Sequence, residues 1–187
     1  MKNIFVIGNI GTGKSSFCKM LYENLNNIEK NAFYINLDEY GQKVLNDENV
    51  KSDLIKKFGM FNTNKELANK AFKDKNTLNM LNSITHPRIK NLFLNDLPKL
   101  KASNIYDFLI VEQTAVKERN DEFLQKADYC ICLTSNKTRS QTPNRLNLQP
   151  SFDILKTYCN EVVCNDGTLD ALNKKAYNIA LALKSRF

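Results

Sequence analysis

The chain has 187 residues, 42% of them hydrophobic, and its 27 Lys and Arg against 20 Asp and Glu give a formal net charge of +7. This length favours one domain with a substantial core over two, and the basic balance suits a polyanionic ligand. The chain contains no Arg-rich run interleaved with aromatic residues and no helix-turn-helix pattern. Gly8 and Lys14 interrupt the only early apolar run and no later apolar run is long, so we expect no leader and no membrane-spanning segment. We therefore expect a cytoplasmic protein without nucleic-acid or membrane partners.

The first predicted strand, Ile4 to Ile7, leads into the segment GNIGTGKSS at Gly8 to Ser16. This segment fits the P-loop pattern of Gly, four residues, Gly, Lys and Ser or Thr. Apolar residues at helical spacing follow it, beginning at Phe17, so the loop lies between a strand and a helix as the motif requires. The backbone N–H groups of such a loop form a concavity that binds phosphate.

The loop predicts a site for ATP and Mg²⁺. Lys14 would reach the terminal phosphates as a mobile charge and act in catalysis, and the Ser15 hydroxyl would ligate the metal ion. The predicted nucleotide-binding residues of the loop are Asn9, Ile10, Gly11, Thr12, Gly13, Lys14, Ser15 and Ser16.

A second strand is predicted from Asn31 to Asn36, and Asp38 follows its end. The carboxyl ends of parallel strands form the edge where ligands bind, so Asp38 is a candidate base that accepts the proton of an attacking hydroxyl. The alternative is a structural role for Asp38 as the N-cap of a helix that begins near Glu39.

From about residue 50 to 100 the pattern is helical throughout, which predicts helices that cap the crevice rather than a simple crossover. We expect separate helices, the last of which has Pro87 in its first turn, a position that proline favours. The predicted segments are Val50 to Phe58, Lys65 to Phe72, Thr77 to Ile84, and a helix from Pro87 onward.

Three further strands alternate with helices, a pattern typical of an α/β protein with a parallel sheet covered on both faces. Glu112 ends the third strand and is a candidate for ordering the waters around Mg²⁺, although it could equally cap a helix. The predicted elements are strands Tyr106 to Glu112, Asp128 to Thr134 and Glu161 to Cys164, a short helix around Glu118 to Lys126, and a closing helix from Thr168 to Arg186.

The segment from about residue 135 to 151 is polar and carries Lys137, Arg139 and Arg145. We interpret it as a lid whose basic residues close over phosphates, with a plain surface loop as the alternative. The five cysteines include no Cys-x-x-Cys pair, so we expect core thiols rather than disulfides or a zinc site.

Several motifs together resemble the dephospho-CoA kinase family over most of the chain. They are GNIGTGKSS, INLDEYGQKV, LANKAF, LNSITHPRI and EVVCNDGTLDAL, in the family's order and spacing. The resemblance implies a three-layer P-loop NTPase fold with a five-stranded parallel sheet and a helical acceptor-binding insertion at about 50–100, in a single domain of residues 1–187. The segment at about 135–151 would be a short lid where the family has a longer helical one. The resemblance also implies phosphorylation of the ribose 3′-hydroxyl of dephospho-CoA, a small-molecule substrate.

The same resemblance assigns roles to individual residues. Asp38 falls on the family's acidic residue thought to be the base, and it would contact the acceptor. His86 and Arg88 would line the acceptor site, and Asn165 would lie near the adenine of ATP. Arg145 would bind ATP and neutralise charge on the transferring group.

The chain departs from the family pattern in four places. Asn36 replaces the first of two aspartates, Asn64 or Lys65 stands where an Arg is usual, VEQTAV replaces the proline-containing end of the third strand, and the lid is shorter. Two other functions therefore stay open: a nucleoside or nucleoside monophosphate kinase, and a nucleotide-binding regulatory protein with little catalysis. We expect a monomer or weak oligomer.

Overall fold

The computed structural model describes residues 1–114, 116, 121–136 and 149–187. A five-stranded sheet runs through the protein in the spatial order β2-β3-β1-β4-β5, and every pair of neighbours is parallel. The strands are β1 Lys2–Ile7, β2 Ala32–Asn36, β3 Phe108–Gln113, β4 Tyr129–Thr134 and β5 Glu161–Cys164. The predicted number, order along the chain and parallel direction of the strands are confirmed.

Helices connect and cover these strands. Within the described residues they are α1 Lys14–Asn27, α2 Leu37–Leu45, α3 Glu48–Phe58, α4 Asn64–Ala71, α5 Lys75–Ala102, α6 Phe152–Leu155 and α7 Leu169–Arg186. Only the end of the helix predicted around Glu118 to Lys126 can be compared, because residues 117–120 lie outside the described part; there a short 3₁₀ turn spans Leu124–Lys126. No helix of the described residues is long and apolar enough to cross a membrane.

Two apolar cores sandwich the sheet. On one face α1 and α7 bury Phe17, Leu21 and Ile179 against the strands. On the other face α5 contributes Phe93 and Leu97. Side chains on alternate strand positions point to opposite faces, so a strand buried on both sides reads as a continuous apolar run. The predicted three-layer arrangement around a five-stranded parallel sheet is confirmed.

The predicted helical insertion has a small core of its own. Val44, Val50, Leu54 and Leu67 bring α2, α3 and α4 together, and partly buried side chains of α5 pack on them. Each of α3, α4 and α5 starts at a residue whose side chain caps the backbone, namely Asp47, Thr63 and Asp74. Such caps satisfy first-turn N–H groups and fix where the helices begin.

The prediction that Pro87 opens a new helix was wrong. It lies inside α5, which runs without interruption over 28 residues. A proline inside a helix removes one hydrogen bond and crowds the preceding turn. Here Pro87 is exposed, while Thr85 and Phe93 are buried on the inner side. Tertiary packing of the helix therefore overrides the local break.

The cysteine prediction is only partly confirmed. Cys18, Cys130 and Cys132 are buried and all five thiols are free, but Cys159 is half-buried and Cys164 is exposed. Cys159 reaches Cys130 with an Sγ to Sγ distance of 3.2 Å.

Candidate active site

The P-loop joins β1 to α1 at the carboxyl edge of the central strand. The Asn9 carbonyl accepts hydrogen bonds from Thr12 Oγ1 and from Lys14 Nζ, each at 2.8 Å. Gly13 is the N-cap of α1 and offers no side-chain cap, and the first turn carries no acidic residue. The first N–H groups of α1 are therefore left for an anion, which is how a P-loop binds phosphate. Ser15 and Ser16 lie exposed in this turn.

Asn165 supports the loop from the end of β5. Its side chain is buried, and Nδ2 donates to the Thr12 carbonyl at 2.9 Å. Gly13 has φ +90°, and a Cβ built on it would lie 2.3 Å from that Nδ2. No space is therefore left for a methyl group between Gly13 and the Asn165 side chain. The predicted proximity of Asn165 to adenine stays a prediction.

Substituting Gly13 tests this close fit. We expect Gly13→Ala to lower the free energy of unfolding by about 1–3 kcal/mol, because a side chain is strained at this φ. ATP affinity should fall as well, since Asn165 must move away from the Thr12 carbonyl. Gly41→Ala is the matched control, because Gly41 lies inside α2 and a Cβ built on it would be 3.7 Å from Ile89 Cδ1, an ordinary van der Waals distance. That control should gain up to about 1 kcal/mol. Urea titration measures both, and equal stability of the two variants would contradict the argument.

Lys14 is a buried cation beside two carboxylates. It is 5% exposed, and burial lowers the pKa of its ammonium group, while the negative charges of Glu112 and Asp38 oppose that shift. A cation that is poorly solvated by water gains more from an anionic ligand than an exposed one does. Lys14 is therefore poised to receive phosphate charge.

The Ser15 hydroxyl and the Glu112 carboxylate meet beside the loop. Ser15 Oγ donates to Glu112 Oε1 at 2.7 Å, and Glu112 is 3% exposed near the end of β3. No cluster of three or more His, Cys, Asp or Glu that could hold a metal occurs within the described residues. Mg²⁺ at kinase sites is typically held by one or two protein oxygens together with phosphates, so this pair of hard oxygen ligands fits it.

Asp38 lies in the first turn of α2, and the alternative role as N-cap was wrong. The cap is Asn36, whose Oδ1 accepts from the Asp38 backbone N–H at 2.9 Å. The Asp38 carboxylate is thus left for other partners, and Thr114 Oγ1 donates to its Oδ2 at 3.3 Å. Asn36 therefore keeps a structural role at the position where the family has its first aspartate.

A cavity of about 630 Å³ opens between the P-loop side of the sheet and the helical insertion. Ile10 and Asp38 lie at its boundary toward the loop, and His86 and Lys65 contribute polar groups from the helices. Most of the remaining wall is apolar, formed by Leu37, Leu45, Leu67, Phe72, Leu78, Leu81, Ile89, Val116 and Phe123 among others. This volume suits a small organic molecule.

His86 and Arg88 are brought to different surroundings. His86 is half-buried in the cavity wall. Arg88 instead donates to the Ile84 carbonyl at 2.7 Å and to Asp53 Oδ2 at 2.8 Å, tying α5 to α3. A guanidinium that is already paired in this way needs a rearrangement before it can bind the acceptor, so its predicted role stays a prediction. Arg145, Arg139 and Lys137 lie outside the described residues.

Comparison with known proteins identifies the family of this chain. The family model described as dephospho-CoA kinase matches residues 3–124, which include the P-loop, Asp38, the helical insertion and Glu112. The chain belongs to the dephospho-CoA kinase family. Members of this family are ATP-dependent kinases, which confirms the predicted enzyme class.

Individual dephospho-CoA kinases match along most of their length. The one from Borreliella burgdorferi is 31% identical over 80% of this chain and 70% of its own. The one from Corynebacterium glutamicum is 27% identical over 100% of this chain and 99% of its own. The solved structure of dephospho-CoA kinase from Campylobacter jejuni has a TM-score of 0.60 at 18% identity and covers 97% of both chains, which supports the shared fold.

Three contacts of this dephospho-CoA kinase family member were not predicted from its sequence. Gln149 Oε1, near the end of the predicted lid segment, accepts from the Ile10 backbone N–H at 2.9 Å. Thr114 contacts Asp38, and the Tyr34 hydroxyl donates to Glu112 Oε2. Of these three contacts, only the one made by Tyr34 had a partial signal in the sequence. Tyr34 lies two positions before Asn36, so the two side chains face the same side of β2.

Proposed function

We propose that this protein transfers the γ-phosphoryl group of ATP to the ribose 3′-hydroxyl of dephospho-CoA, giving coenzyme A and ADP. The observation that carries the proposal is the location of Asp38. Its carboxylate lies at the boundary between the P-loop and the large cavity, where an acceptor hydroxyl would face the γ-phosphate. Family membership identifies the substrates to test first.

The chemistry requires a base, charge neutralisation and alignment. As the ribose oxygen bonds to the γ-phosphorus, its proton moves to the Asp38 carboxylate and the bond to the β–γ bridging oxygen breaks, which releases ADP. Lys14 leaves the Asn9 carbonyl to neutralise phosphate charge. When Mg²⁺ is bound, it neutralises further charge on the phosphates, and Ser15 and Glu112 would hold it.

The remaining assignments extend this proposal. His86 and Arg88 would contact the acceptor, Asn165 would lie near adenine, and Arg145 would neutralise charge on the transferring group. The insertion at about 50–100 would form the acceptor-binding part of a single domain. A cytoplasmic location and a monomeric or weakly associated state complete the proposal.

A coupled assay of ADP release with Mg²⁺ and ATP tests the acceptor directly. Dephospho-CoA is compared with adenosine, deoxynucleosides and nucleoside monophosphates, and phosphorus NMR identifies the phosphorylated oxygen. Release only with dephospho-CoA, with phosphate at the 3′ position, supports the proposal. Release with a nucleoside or monophosphate instead would assign a different kinase activity. Silence despite ATP binding would indicate a regulatory protein.

The cavity itself is tested by filling it. Ala68 on α4 lines the cavity, so Ala68→Phe places a ring where the acceptor would lie. We expect the KM for dephospho-CoA to rise about tenfold or more, equivalent to roughly 1.4 kcal/mol, because part of the acceptor must be displaced. ATP affinity, measured by calorimetry, should stay within about twofold.

The matched control is Ala182→Phe, at an exposed position of α7, the helix on the other face of the sheet. That variant should leave both constants unchanged. An unchanged KM in the Ala68→Phe variant would move the acceptor site away from this cavity.

A further inference from the structure

Tyr34 belongs to a chain of side-chain hydroxyl contacts that ends at the P-loop. Its hydroxyl donates to Oε2 of Glu112, while Oε1 of the same carboxylate accepts from Ser15 Oγ at 2.7 Å. Each of the two oxygens of this buried carboxylate therefore accepts a hydrogen bond from a different hydroxyl group.

The sheet register brings these groups together. In the parallel pairing of β2 and β3, Tyr34 lies opposite Ile110 and Asn36 lies opposite Glu112. Tyr34 and Glu112 both face the layer formed by α1, since Tyr34 packs on the core that includes Ile110 and Phe17. The tyrosine ring is thus fixed by apolar packing, and the hydroxyl at its tip lies against the carboxylate.

The Tyr34 hydroxyl is the donor in this contact, because an ionised carboxylate oxygen can only accept.

We infer that Tyr34 is a positioning residue for the magnesium site, holding Glu112 so that Oε1 stays directed at the Ser15 hydroxyl. Because the Ser15 hydroxyl donates a hydrogen bond to Glu112, the lone pairs of Ser15 Oγ are left for a metal ion on the phosphate side. The contact resembles the outer-shell hydrogen bonds that orient metal ligands elsewhere. The inference rests on the proposed assignment of Ser15 and Glu112 to Mg²⁺.

Removing the Tyr34 hydroxyl should weaken binding of the metal ion and leave binding of the nucleotide unchanged. Tyr34→Phe keeps the ring and its packing but leaves Oε2 of Glu112 without this donor, so the carboxylate can rotate away from Ser15. Outer-shell substitutions of this kind typically weaken metal affinity by about 10- to 100-fold. We expect about a tenfold rise in the Kd for the metal ion and no change in metal-free nucleotide binding.

The experiment uses Mn²⁺ as the probe. Free Mn²⁺ is measured by electron paramagnetic resonance during titration of the full chain saturated with a non-hydrolysable ATP analogue. Analogue binding is measured separately by calorimetry in EDTA. Tyr22→Phe is the matched control, because Tyr22 is an exposed tyrosine on α1. A selective loss of Mn²⁺ affinity in the Tyr34→Phe variant, with the control unchanged, supports the inference.

A double-mutant cycle with Glu112→Gln separates positioning from a general structural effect. If Tyr34 acts through Glu112, Tyr34→Phe should cause little further loss of Mn²⁺ affinity in the Glu112→Gln background. Equal Mn²⁺ affinity of Tyr34→Phe and wild type would overturn the inference. An equal loss of analogue binding with and without metal would overturn it too, because it would indicate a distorted loop.

These measurements contain no acceptor. A failure of dephospho-CoA to react would therefore reject the proposed function and leave the Mn²⁺ result standing, and the reverse also holds.

Discussion

Replacing Asp38 with asparagine is expected to reduce phosphoryl transfer to dephospho-CoA by about 10²- to 10⁴-fold, the usual contribution of a general base. The amide has nearly the same size but cannot take the proton of the ribose hydroxyl. ATP affinity should change by less than about twofold, because the P-loop and Lys14 are untouched. Single-turnover transfer and calorimetric ATP binding measure the two effects on the same preparation.

The fold should tolerate this substitution. Asn36, and not Asp38, caps α2, so Asp38→Asn removes the favourable interaction of a carboxylate with the helix N-terminus, while the amide oxygen can still accept from Thr114 Oγ1. The interaction with the helix N-terminus contributes about 0.3–1 kcal/mol at an exposed site.

Glu39→Gln is the control, since Glu39 is exposed in the same first turn and its loss removes the same charge from the helix end. It should keep nearly full transfer. Unchanged transfer in the Asp38→Asn variant would remove Asp38 from the mechanism.

Replacing Lys14 with methionine is expected to separate activity from stability. Transfer should fall at least about 10²-fold, because a preorganised charge is lost at the γ-phosphate. The free energy of unfolding at neutral pH should stay the same or rise, since methionine fills similar space without a buried charge. The Asn9 carbonyl keeps a donor, because Thr12 Oγ1 also binds it at 2.8 Å.

The pH dependence of the free energy of unfolding provides a second test of the buried Lys14 charge. Burial lowers the pKa of Lys14 from 10.5, so the unfolded chain binds more protons than the folded one between the lowered value and 10.5. This lysine therefore contributes a rise in stability as pH increases through that window, and Lys14→Met should show a flatter profile than wild type.

Urea titrations across the alkaline range check this, with Lys19→Met on the exposed side of α1 as the control. A marked loss of stability in the Lys14→Met variant at neutral pH would contradict the argument.

Residues 137–148 of the predicted lid, with Arg139 and Arg145, lie outside the described part, so their roles stay predictions. The end of the predicted lid is described, and there Gln149 contacts the P-loop through the Ile10 N–H. A polar residue followed by proline carries no periodic signal, which is why this contact could not be predicted from the sequence.

Local patterns account for what the sequence by itself determined. The P-loop residues are adjacent in the chain, and the strands form continuous apolar runs because both faces of a parallel sheet are buried. These features were enough to predict the five strands, the phosphate site at Lys14 and the location of Asp38 at the ligand edge of the sheet. The neighbouring strand ends also made Glu112 a candidate for the metal.

Only the tertiary structure decided which distant side chains meet. Pro87 stays inside α5 because packing on two cores outweighs one missing hydrogen bond, and Arg88 pairs with Asp53 because α3 folds back against α5. The Tyr34 hydroxyl reaches Glu112 because strands β2 and β3 pair in one register, although residues 37–107, with helices α2 to α5, separate them in the chain. Such contacts depend on how whole elements pack. The local sequence indicates which face of β2 Tyr34 occupies, but not which strand pairs beside it.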